Sequence, residues 1–569
     1  MDILKTENLG FRYAGSREDA LKSVSFSLQR GELAVLCGNT GSGKSTLLRL
    51  MKRELAPRGE QSGKILFREA PLQAMTDREA AEAIGFVAQR PEEQIVTDRV
   101  WHELAFGLEN LGLSPDTMRR RVAETAAFFG IEDWFDARTD DLSGGQKQLL
   151  NLAAVTAMQP ELLLLDEPTA RLDPIAASEF LAAVTRLNRE TGMTVMLAEH
   201  RLEEILPEAT RLLVLRNGTL DVQGIPQELC AGMTCSWPEA AAMPAAVRFY
   251  LASPAGNECP LSVAEGRKWL SGQLKELTEN LSGPEDVPTQ EKEDAAEKES
   301  AADRNESRKK EVPALRFREV SFRFTRRGED ILRSAAFEVQ QGEIFCLLGG
   351  NGSGKTTVLR AAAGLISPYA GEIQVFGKPI GNYRGGMLYD RCLAMLPQDV
   401  QTLLMRDTVE EELKDAGYGK TAEIPFGLEK LLTHHPYDLS GGEQQLLALA
   451  KVLAVKPRLL LLDEATNGLD GGWKQRIGEI LRTLRDQGIT ILAVTHDTEF
   501  AAGIADRCGL LFRGSLISAA DPRTFFAENR YYTTPINRIV KGMLPPCLNT
   551  EEAAERLREA LGRRKNEAL

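Results

Sequence analysis

The glycine-rich sequence CGNTGSGKST at residues 37–46 recurs in nearly the same form as GGNGSGKTT at 349–357. The first copy follows the apolar run LAVL (33–36) and precedes LLRLM, an order typical of a strand, a glycine-rich turn and a helix. Glycines in such a turn let backbone N–H groups close around phosphate oxygens, and the helix N-terminus adds roughly half a positive charge. We therefore predict that each turn binds a nucleoside triphosphate.

The side chains of these turns predict how the triphosphate and its metal ion are held. Lys44 and Lys355 can reach the outer phosphates, while the hydroxyls of Ser45 and Thr356 can coordinate Mg²⁺. The predicted nucleotide-binding residues are Gly38, Asn39, Thr40, Gly41, Ser42, Gly43, Lys44, Ser45 and Thr46 in the first turn, and Gly349, Gly350, Asn351, Gly352, Ser353, Gly354, Lys355, Thr356 and Thr357 in the second.

Two further strings recur and show that the chain is a tandem duplication. LSGGQKQLLNLA (142–153) matches LSGGEQQLLALA (439–450), and LLLLDEPTARLD (162–173) matches LLLLDEATNGLD (459–470). The second copy is shorter just before its LSGG string. Length can vary there without disturbing a core, so we predict a peripheral helical insert at that place.

Each LLLLDE string predicts a buried strand whose acidic end meets the nucleotide. Asp166 and Asp463 are candidates to hold the Mg²⁺ shell, and the next residue of each string, Glu167 or Glu464, is a candidate to polarise an attacking water. A serine and two glycines before a helix form a second N–H-rich anion cradle. These cradle residues are Ser143, Gly144 and Gly145 in the first copy and Ser440, Gly441 and Gly442 in the second.

Composition restricts the class of protein. The chain has 569 residues, 43% of them hydrophobic, and a formal net charge of -13. The acidic balance argues against a nucleic-acid partner, since phosphate backbones recruit basic surfaces. Its eight cysteines include no CxxC pair, which favours free cytosolic thiols. No apolar run approaches the ~18 residues of a membrane-spanning helix, and the first residues lack the pattern of a secretory signal.

The repeats and the composition together give four predicted regions. They are a first nucleotide-binding domain (1–240), a charged linker (241–312), a second nucleotide-binding domain (313–545) and a helical tail (546–569). Residues 271–311 carry 12 acidic and 7 basic residues and almost no large apolar ones, which is typical of a flexible tether. The tail places its acids first and its bases last, as a capped amphipathic helix does.

The combination of phosphate turn, LSGG string and LLLLDE strand resembles ATP-binding-cassette (ABC) ATPases over nearly all of both copies, which are called the first and second cassettes below. The resemblance implies an α/β fold with two tandem P-loop NTPase domains. Each would have a RecA-like core, an antiparallel β part and a helical subdomain. It also implies ATP and Mg²⁺ as cofactors, and ATP hydrolysis as the activity.

The resemblance implies roles for residues outside the turns. Gln89 and Gln398 are similar to the glutamines that sense Mg²⁺ and face a membrane partner, and they complete the implied metal set of Ser45, Gln89, Asp166, Thr356, Gln398 and Asp463. His200 and His496 are similar to the histidines that contact the γ-phosphate. With Glu167 and Glu464, these two histidines complete the implied catalytic set.

Two aromatic residues and two aspartates complete this resemblance. Tyr13 matches the ring that stacks on adenine, and Phe324 stands at the same place in the second cassette. Asp173 and Asp470 fit the loop that joins the two sites. The resemblance implies two head-to-tail hydrolytic sites, in which Ser440 completes the site of Lys44 and Glu167, while Ser143 completes the site of Lys355 and Glu464.

The second cassette departs from the family pattern at two positions. Ala465 replaces the usual proline after the second Asp-Glu pair, and Glu443 replaces the glutamine that follows LSGG. Lysine, aspartate, glutamate and histidine are all retained in both cassettes. We therefore expect both sites to hydrolyse ATP.

Finer strings resemble the ATPases of energy-coupling-factor (ECF) importers, including the cobalt and nickel members. The strings are IGFVAQRPEEQIVTDRVWHELAFGLENLGLS (84–114), LAEHRLEEILPEATRLLVLRNG (197–218) and FFAENRYYTTPINRI (525–539), the last similar to a string of fused two-cassette members. The resemblance implies an ATPase at the cytoplasmic face of the cell membrane that powers import of a vitamin, a vitamin precursor or a transition-metal ion.

The same resemblance implies the partners. One chain would pair its own two cassettes beneath a membrane coupling (T-type) subunit, which binds a small substrate-capturing membrane subunit. Two alternatives stay open: a soluble tandem ABC protein that acts on the ribosome, and the ATPase of an ABC exporter. The net acidic linker disfavours the first alternative, and the string at 84–114 disfavours the second.

Overall fold

The computed structural model describes residues 2–253, 258–279, 312–419 and 424–567. The chain divides into two compact units. The first consists of Met1–Gly266 with the short segment Asn467–Gly472, and the second consists of Arg267–Thr466 and Trp473–Leu569. Each unit is built around one cassette.

The first cassette alternates strands and helices. Its strands are β1 (Asp2–Tyr13), β2 (Leu21–Gln29), β3 (Leu33–Cys37), β4 (Gly59–Phe67), β5 (Ala70–Pro71), β6 (Ile84–Val87), β7 (Leu162–Asp166), β8 (Thr194–Ala198), β9 (Arg211–Arg216) and β10 (Thr219–Gly224). The α-helices up to residue 279 are α1 (Lys44–Met51), α2 (Asp77–Ala83), α3 (Val100–Asn110), α4 (Pro115–Phe129), α5 (Gly144–Ala157), α6 (Pro174–Thr191), α7 (Leu202–Ile205), α8 (Pro226–Gly232), α9 (Ala245–Ala252) and α10 (Val263–Glu279).

The second cassette repeats this order. Its strands are β11 (Leu315–Phe322), β12 (Leu332–Val339), β13 (Ile344–Leu348), β14 (Ala370–Val375), β15 (Lys378–Pro379), β16 (Leu393–Leu396), β17 (Leu459–Asp463), β18 (Thr490–Val494), β19 (Arg507–Phe512) and β20 (Ser515–Ala520). Its α-helices are α11 (Lys355–Ala362), α12 (Val409–Asp415), α13 (Gly441–Leu453), α14 (Gly471–Asp486), α15 (Thr498–Ile504), α16 (Pro522–Glu528), α17 (Pro535–Val540) and α18 (Thr550–Glu567).

Each cassette contains two sheets. In the first cassette a four-stranded antiparallel sheet has the order β2-β1-β4-β5, and a six-stranded sheet has the order β10-β9-β3-β8-β7-β6. In the larger sheet all neighbouring pairs are parallel except β9 with β10. The second cassette repeats both orders, as β12-β11-β14-β15 and β20-β19-β13-β18-β17-β16. The predicted α/β fold with an antiparallel part is confirmed.

The parallel strands determine where the motifs meet. Strands β3, β7 and β8 are buried at every position, as expected for strands covered on both faces. Their carboxyl ends lie at one edge of the sheet, where open α/β sheets bind ligands. The residues that follow these strands are the phosphate turn, Glu167 and His200, so the predicted site residues converge there.

A single apolar core joins the two sheets of the first cassette. It includes Leu36 and Leu164 from the parallel sheet, Ile3 and Phe26 from the antiparallel sheet, and Leu47 from α1. The core of the second cassette is built in the same way around strands β13 and β17 and helix α11. Packing on this core fixes the helix that follows each phosphate turn.

The segment between the glutamine and the LSGG string is helical and differs between the cassettes. In the first cassette α3 and α4 pack on α5, and α4 begins at the cap Ser114 and ends at Gly130, whose φ is 65°. In the second cassette the described residues 399–419 and 424–440 contain α12 as their single α-helix. The distance in sequence from the glutamine to the LSGG string is therefore shorter in the second cassette because its described residues contain one α-helix there instead of two.

The described residues of the range expected to be a charged linker (241–312) include the helices α9 and α10, and the first compact unit extends to Gly266. The charged stretch 282–311 lies outside the described residues. Among the helices of the described residues, none has both the length and the apolar character needed to span a bilayer.

Candidate nucleotide sites

The phosphate turn of the first cassette requires glycine for two physical reasons. A Cβ at Gly38 would lie 2.2 Å from the carbonyl oxygen of Leu215, so no larger residue fits there. Gly43 caps α1 with φ of 103°, a left-handed conformation that side chains disfavour. The second turn repeats both features at Gly349 and Gly354. Both turns are therefore open loops that present backbone N–H groups ahead of a helix.

The lysine of each turn is buried and folded back onto the loop. Lys44 is 4% exposed, and its Nζ donates to the carbonyl oxygens of Gly38 at 2.8 Å and Asn39 at 3.3 Å. Lys355 donates to the corresponding carbonyls of Gly349 at 2.9 Å and Gly350 at 3.1 Å. Each ammonium group is thus held at the mouth of its turn.

The turns fit a phosphate because each contains a buried hydroxyl that lacks a partner. Among the described residues, the Oγ atoms of Ser42 and Ser353 form no hydrogen bond, although the two residues are only 4% and 7% exposed. An unsatisfied buried hydroxyl costs about 1–3 kcal/mol. A phosphate oxygen would supply the missing acceptor. The donor set of each turn therefore suits a nucleoside triphosphate.

The residues predicted to bind the metal ion pair with each other in both cassettes. The Ser45 hydroxyl donates to Asp166 Oδ1 at 2.8 Å, and the Thr356 hydroxyl donates to Asp463 Oδ1 at 3.1 Å. Burial raises the pKa of Asp166 to about 6, against the lowering effect of the Ser45 hydroxyl. Burial likewise raises the pKa of Asp463 to about 6. A hydroxyl and a carboxylate side by side are the hard oxygen ligands that Mg²⁺ prefers.

A second carboxylate lies at the centre of the first site. Glu167 Oε1 is 2.9 Å from His200 Nε2 and 3.5 Å from Lys44 Nζ, and Gln89 Nε2 donates to its Oε2 at 3.2 Å. Burial would raise the pKa of Glu167, but the hydrogen bond from His200 and the charge of Lys44 hold it below its ordinary value. These neighbours favour the ionised form of the Glu167 carboxyl. Its φ of 45° places it in a strained backbone conformation.

The second site has the same carboxylate with different neighbours. Glu464 Oε2 is 2.6 Å from His496 Nδ1, whereas in the first cassette the histidine uses Nε2. Lys355 Nζ lies 3.9 Å from Glu464 Oε1. Glu464 also has a left-handed φ, 53°. Gln398 is exposed after strand β16, while Gln89 is half-buried and contacts the carboxylate.

The two aromatic rings predicted to stack on adenine are held differently. The Tyr13 hydroxyl forms a 2.8 Å hydrogen bond with Thr46 Oγ1 in helix α1, and the residue is 39% exposed. Phe324 has no hydroxyl and is 62% exposed. Each ring packs edge-on against a neighbour, Phe11 or Phe322. The first ring is therefore fixed to the phosphate-binding helix and the second is not fixed in this way.

The LSGG serines are helix caps in their own cassettes. Ser143 Oγ accepts from the N–H of Gln146 at 3.3 Å, and Gln146 Oε1 accepts from the N–H of Ser143 at 2.9 Å. In the second cassette Glu443 performs the glutamine's part, since it accepts from the N–H of Ser440 at 2.8 Å and from its hydroxyl at 2.6 Å. The departure at Glu443 therefore preserves the capping box.

Several residues that the sequence interpretation did not single out hold the glutamine loop of the first cassette. Gln148 Nε2 on α5 donates to the carbonyl of Ala88 at 3.0 Å, and Asn151 Nδ2 donates to the carbonyl of Pro91 at 3.2 Å. Gln94 bonds both the N–H of Ala88 and the carbonyl of Phe86. The sequence signal of Gln148 and Asn151 is polarity at buried positions of α5, whereas Gln94 is half-buried and follows the turn 91–93.

Buried glutamates fix the segment that follows each glutamine loop. Glu103 is 5% exposed and its Oε2 accepts from the backbone N–H groups of Val96 at 3.1 Å and Thr97 at 2.8 Å. Glu412 is fully buried, accepts from the N–H groups of Met405 and Arg406, and pairs with Lys451. A glutamate inside a helix gives no hint of this role in the sequence alone.

The fold and the two sites define a protein with two P-loop ATPase domains. Comparison with known proteins gives the family. The ABC transporter family model matches residues 21–170 and 332–467. A relative from Bacillus thuringiensis subsp. konkukian, named for ATP binding in an ABC transporter, is 41% identical over 558 residues, which cover 96% of this chain and 97% of that protein. A relative of the same description from Streptomyces coelicolor is 35% identical, and the match covers 95% of this chain and 97% of that protein.

Among solved structures, cbiO1 from Clostridium perfringens, described as part of the ABC transporter complex cbiONQ, is 34% identical. The match covers 40% of this chain and 91% of that one, with a TM-score of 0.38. The family model, and the relatives that match over nearly their whole length, show that the chain belongs to the ABC transporter family. It is an ATP-binding protein with two ABC ATPase cassettes.

Proposed function

We propose that this chain is the ATP-hydrolysing subunit of an ECF-type importer, bound at the cytoplasmic face of the cell membrane. Full-length relatives named for ATP binding in ABC transporters support the transporter role. The resemblance of residues 84–114, 197–218 and 525–539 to ECF ATPases supports the importer class. That class moves vitamins, vitamin precursors or transition-metal ions, and we extend this range of cargo to the present chain.

The geometry supports a specific division of labour at the first site. The turn and Lys44 bind the phosphates, and Ser45 with Asp166 would hold Mg²⁺, which neutralises charge on the phosphates when it is bound. Glu167, whose carboxylate is 2.9 Å from His200, would orient a water and accept its proton. Gln89 reaches the same carboxylate from the loop that would face the partner. The state of that loop can therefore affect the base.

The family resemblance extends this proposal to both cassettes of one chain. Lys355, Asp463, Glu464 and His496 would perform the same steps at the second site. We propose that each LSGG serine serves the nucleotide of the other cassette, with Asp173 and Asp470 in the loops between the sites. One chain per transporter would then supply both sites.

The observation that carries the partner proposal is an exposed apolar side chain at the same place in both cassettes. Val96 is 66% exposed and Met405 is 80% exposed, and each stands seven residues after its glutamine. The buried carboxylates of Glu103 and Glu412 fix both segments through backbone N–H groups. A loop held by these hydrogen bonds, with an exposed apolar side chain seven residues after the glutamine, suits a helix of a membrane coupling subunit.

The test is purification of the tagged chain from its own cells in mild detergent, with identification of the co-purifying proteins. We expect a polytopic coupling protein and a small membrane subunit. Val96→Arg and Met405→Arg should reduce this recovery, whereas Ile517→Arg should not, because Ile517 is equally apolar and 61% exposed but lies on β20. Recovery of ribosomal proteins without a membrane partner would overturn the proposal in favour of a ribosomal role.

A further inference from the structure

Glu199, which lies between strand β8 and His200, has a buried carboxylate with an unusual set of partners. It is 2% exposed. Its Oε1 accepts from the backbone N–H of Thr169 at 3.0 Å and also from the Thr169 hydroxyl. Its Oε2 accepts from the N–H groups of His200 at 2.9 Å and Arg201 at 3.2 Å. Four hydrogen bonds therefore satisfy both oxygens of this buried side chain.

These partners belong to the two loops that carry the proposed base and its histidine. Thr169 lies two residues after Glu167, in a turn closed by the N–H of Ala170 on the Glu167 carbonyl at 3.2 Å. The N–H of Leu172 bonds the Thr169 carbonyl at 3.0 Å. Glu199 therefore ties the backbone behind Glu167 to the backbone of His200, while their side chains meet at 2.9 Å.

The neighbouring arginine reinforces the same connection. Arg201 Nη1 donates to the carbonyl oxygen of Leu172 at 3.0 Å. The histidine loop of the first cassette (199–201) is thus bonded to both ends of the segment 169–172, by Glu199 to Thr169 and by Arg201 to Leu172. A shift of either loop must break hydrogen bonds or move the other loop with it.

The second cassette is built differently at the same place. Thr495 stands where Glu199 does, and its hydroxyl accepts from the N–H of Asp497 at 3.0 Å. Asp497 pairs with Lys474 on α14 at 2.6 Å and caps α15. A single hydroxyl cannot accept the four hydrogen bonds that the carboxylate accepts. The histidine loop of the second cassette is therefore fastened to α14 instead.

We propose that Glu199 is a positioning residue for ATP hydrolysis at the first site, where it fixes the separation between the base Glu167 and His200. The proposal rests on the catalytic roles proposed above for these two residues. It also makes the two sites of the chain inequivalent, because this connection is available to one cassette only.

The test uses the full chain with Glu199→Gln, which replaces an acceptor oxygen by an NH₂ group facing backbone N–H donors. Turnover is measured in a chain that also carries Glu464→Gln, so that the measured hydrolysis comes from the first site. Glu199→Asp keeps the carboxylate and is the conservative rescue. Thr495→Val removes the corresponding hydroxyl of the second cassette and is the matched control.

For Glu199→Gln we expect kcat at the first site to fall by about tenfold or more, since small misplacements of catalytic groups cost up to about a hundredfold. The KM for ATP should stay within about twofold, because phosphate binding by the turn is untouched. Hydrogen exchange should quicken at the amides of Thr169, His200 and Arg201. Glu199→Asp should recover part of kcat, and Thr495→Val should leave the first site unchanged.

A second variant covers the case in which Glu199→Gln does not fold. Thr169→Val removes only the hydroxyl donor and should lower kcat by about twofold to fivefold, as expected for one hydrogen bond. Normal kcat for both variants, or a loss matched by a rise in KM, would overturn the proposal. Failure of the catalytic roles themselves is distinct, since Glu167→Gln would then retain turnover.

Discussion

Exchange of the two aromatic rings predicted to stack on adenine should change nucleotide affinity in opposite directions at the two sites. Tyr13→Phe removes the 2.8 Å hydrogen bond that fixes the ring to Thr46, so we expect weaker binding at the first site. Phe324→Tyr supplies a hydroxyl in the second cassette, where Thr357 stands at the position of Thr46, two residues after the lysine. We expect tighter binding there.

The magnitude follows from a single neutral hydrogen bond. Such a bond contributes about 0.5–1.5 kcal/mol net. At about 1.4 kcal/mol for each tenfold change, the dissociation constant should change by about twofold to twelvefold. The mechanism is preorganisation, because a ring that is already fixed loses less freedom when adenine stacks on it. The difference in exposure, 39% for Tyr13 against 62% for Phe324, agrees with this direction.

The assay is titration with a fluorescent ATP analogue in a chain that carries Glu167→Gln and Glu464→Gln, so that hydrolysis does not interfere. Thr46→Val is the control for the first site, since it removes the partner hydroxyl and leaves the ring intact. It should reproduce the effect of Tyr13→Phe. Unchanged affinity in Tyr13→Phe, or tighter binding, would show that the hydrogen bond to Thr46 does not preorganise the ring.

Three further predictions concern a buried aspartate, a buried glutamate and the cysteines. Burial would raise the pKa of Asp497, but Lys474 holds that pKa well below the ordinary value of 3.8, so the ionised form stabilises the fold above that pH. Asp497→Asn should therefore lower the unfolding free energy by about 1–2 kcal/mol at pH 7. Denaturant titrations should show that the difference between the two proteins shrinks as the pH falls below 3.8. Glu239 accepts three hydrogen bonds from Arg216 and is 2% exposed, so Glu239→Ala should destabilise the first cassette by about 1–3 kcal/mol, measured by calorimetry. Cys235 is the one exposed cysteine of the eight, so a thiol reagent should modify one thiol per native chain quickly and six buried thiols only on unfolding.

The fold and the core of each site could be predicted from the sequence because their chemistry is local. A phosphate cradle needs glycines, a lysine and a hydroxyl within one turn, and Gly38, Gly43 and Lys44 occupy the positions that this geometry requires. The strand that ends in Asp166 is local in the same sense, since LLLLD is buried at every position. Because the chain is a tandem duplication, the same motifs in the second copy also locate the second site.

The remaining features could not be predicted because they join distant parts of the chain. Glu199 bonds Thr169 from 30 residues away, and Gln148 reaches the carbonyl of Ala88 from 60 residues away. Such pairs depend on the register of neighbouring strands and helices, which sequence pattern leaves undetermined. The inequivalence of Tyr13 and Phe324 is a similar case, since a conservative substitution conceals the loss of one hydrogen bond.

We propose that one chain contains two working ATPase sites with Glu167 and Glu464 as their bases. The most direct measurement is steady-state ATP turnover per chain for Glu167→Gln, Glu464→Gln and the double variant, beside the parent protein. We predict that each single variant turns over more slowly than the parent and that the double variant retains about a hundredth of the parental rate or less. Parental turnover in Glu464→Gln would contradict the claim and leave the first site as the sole working one.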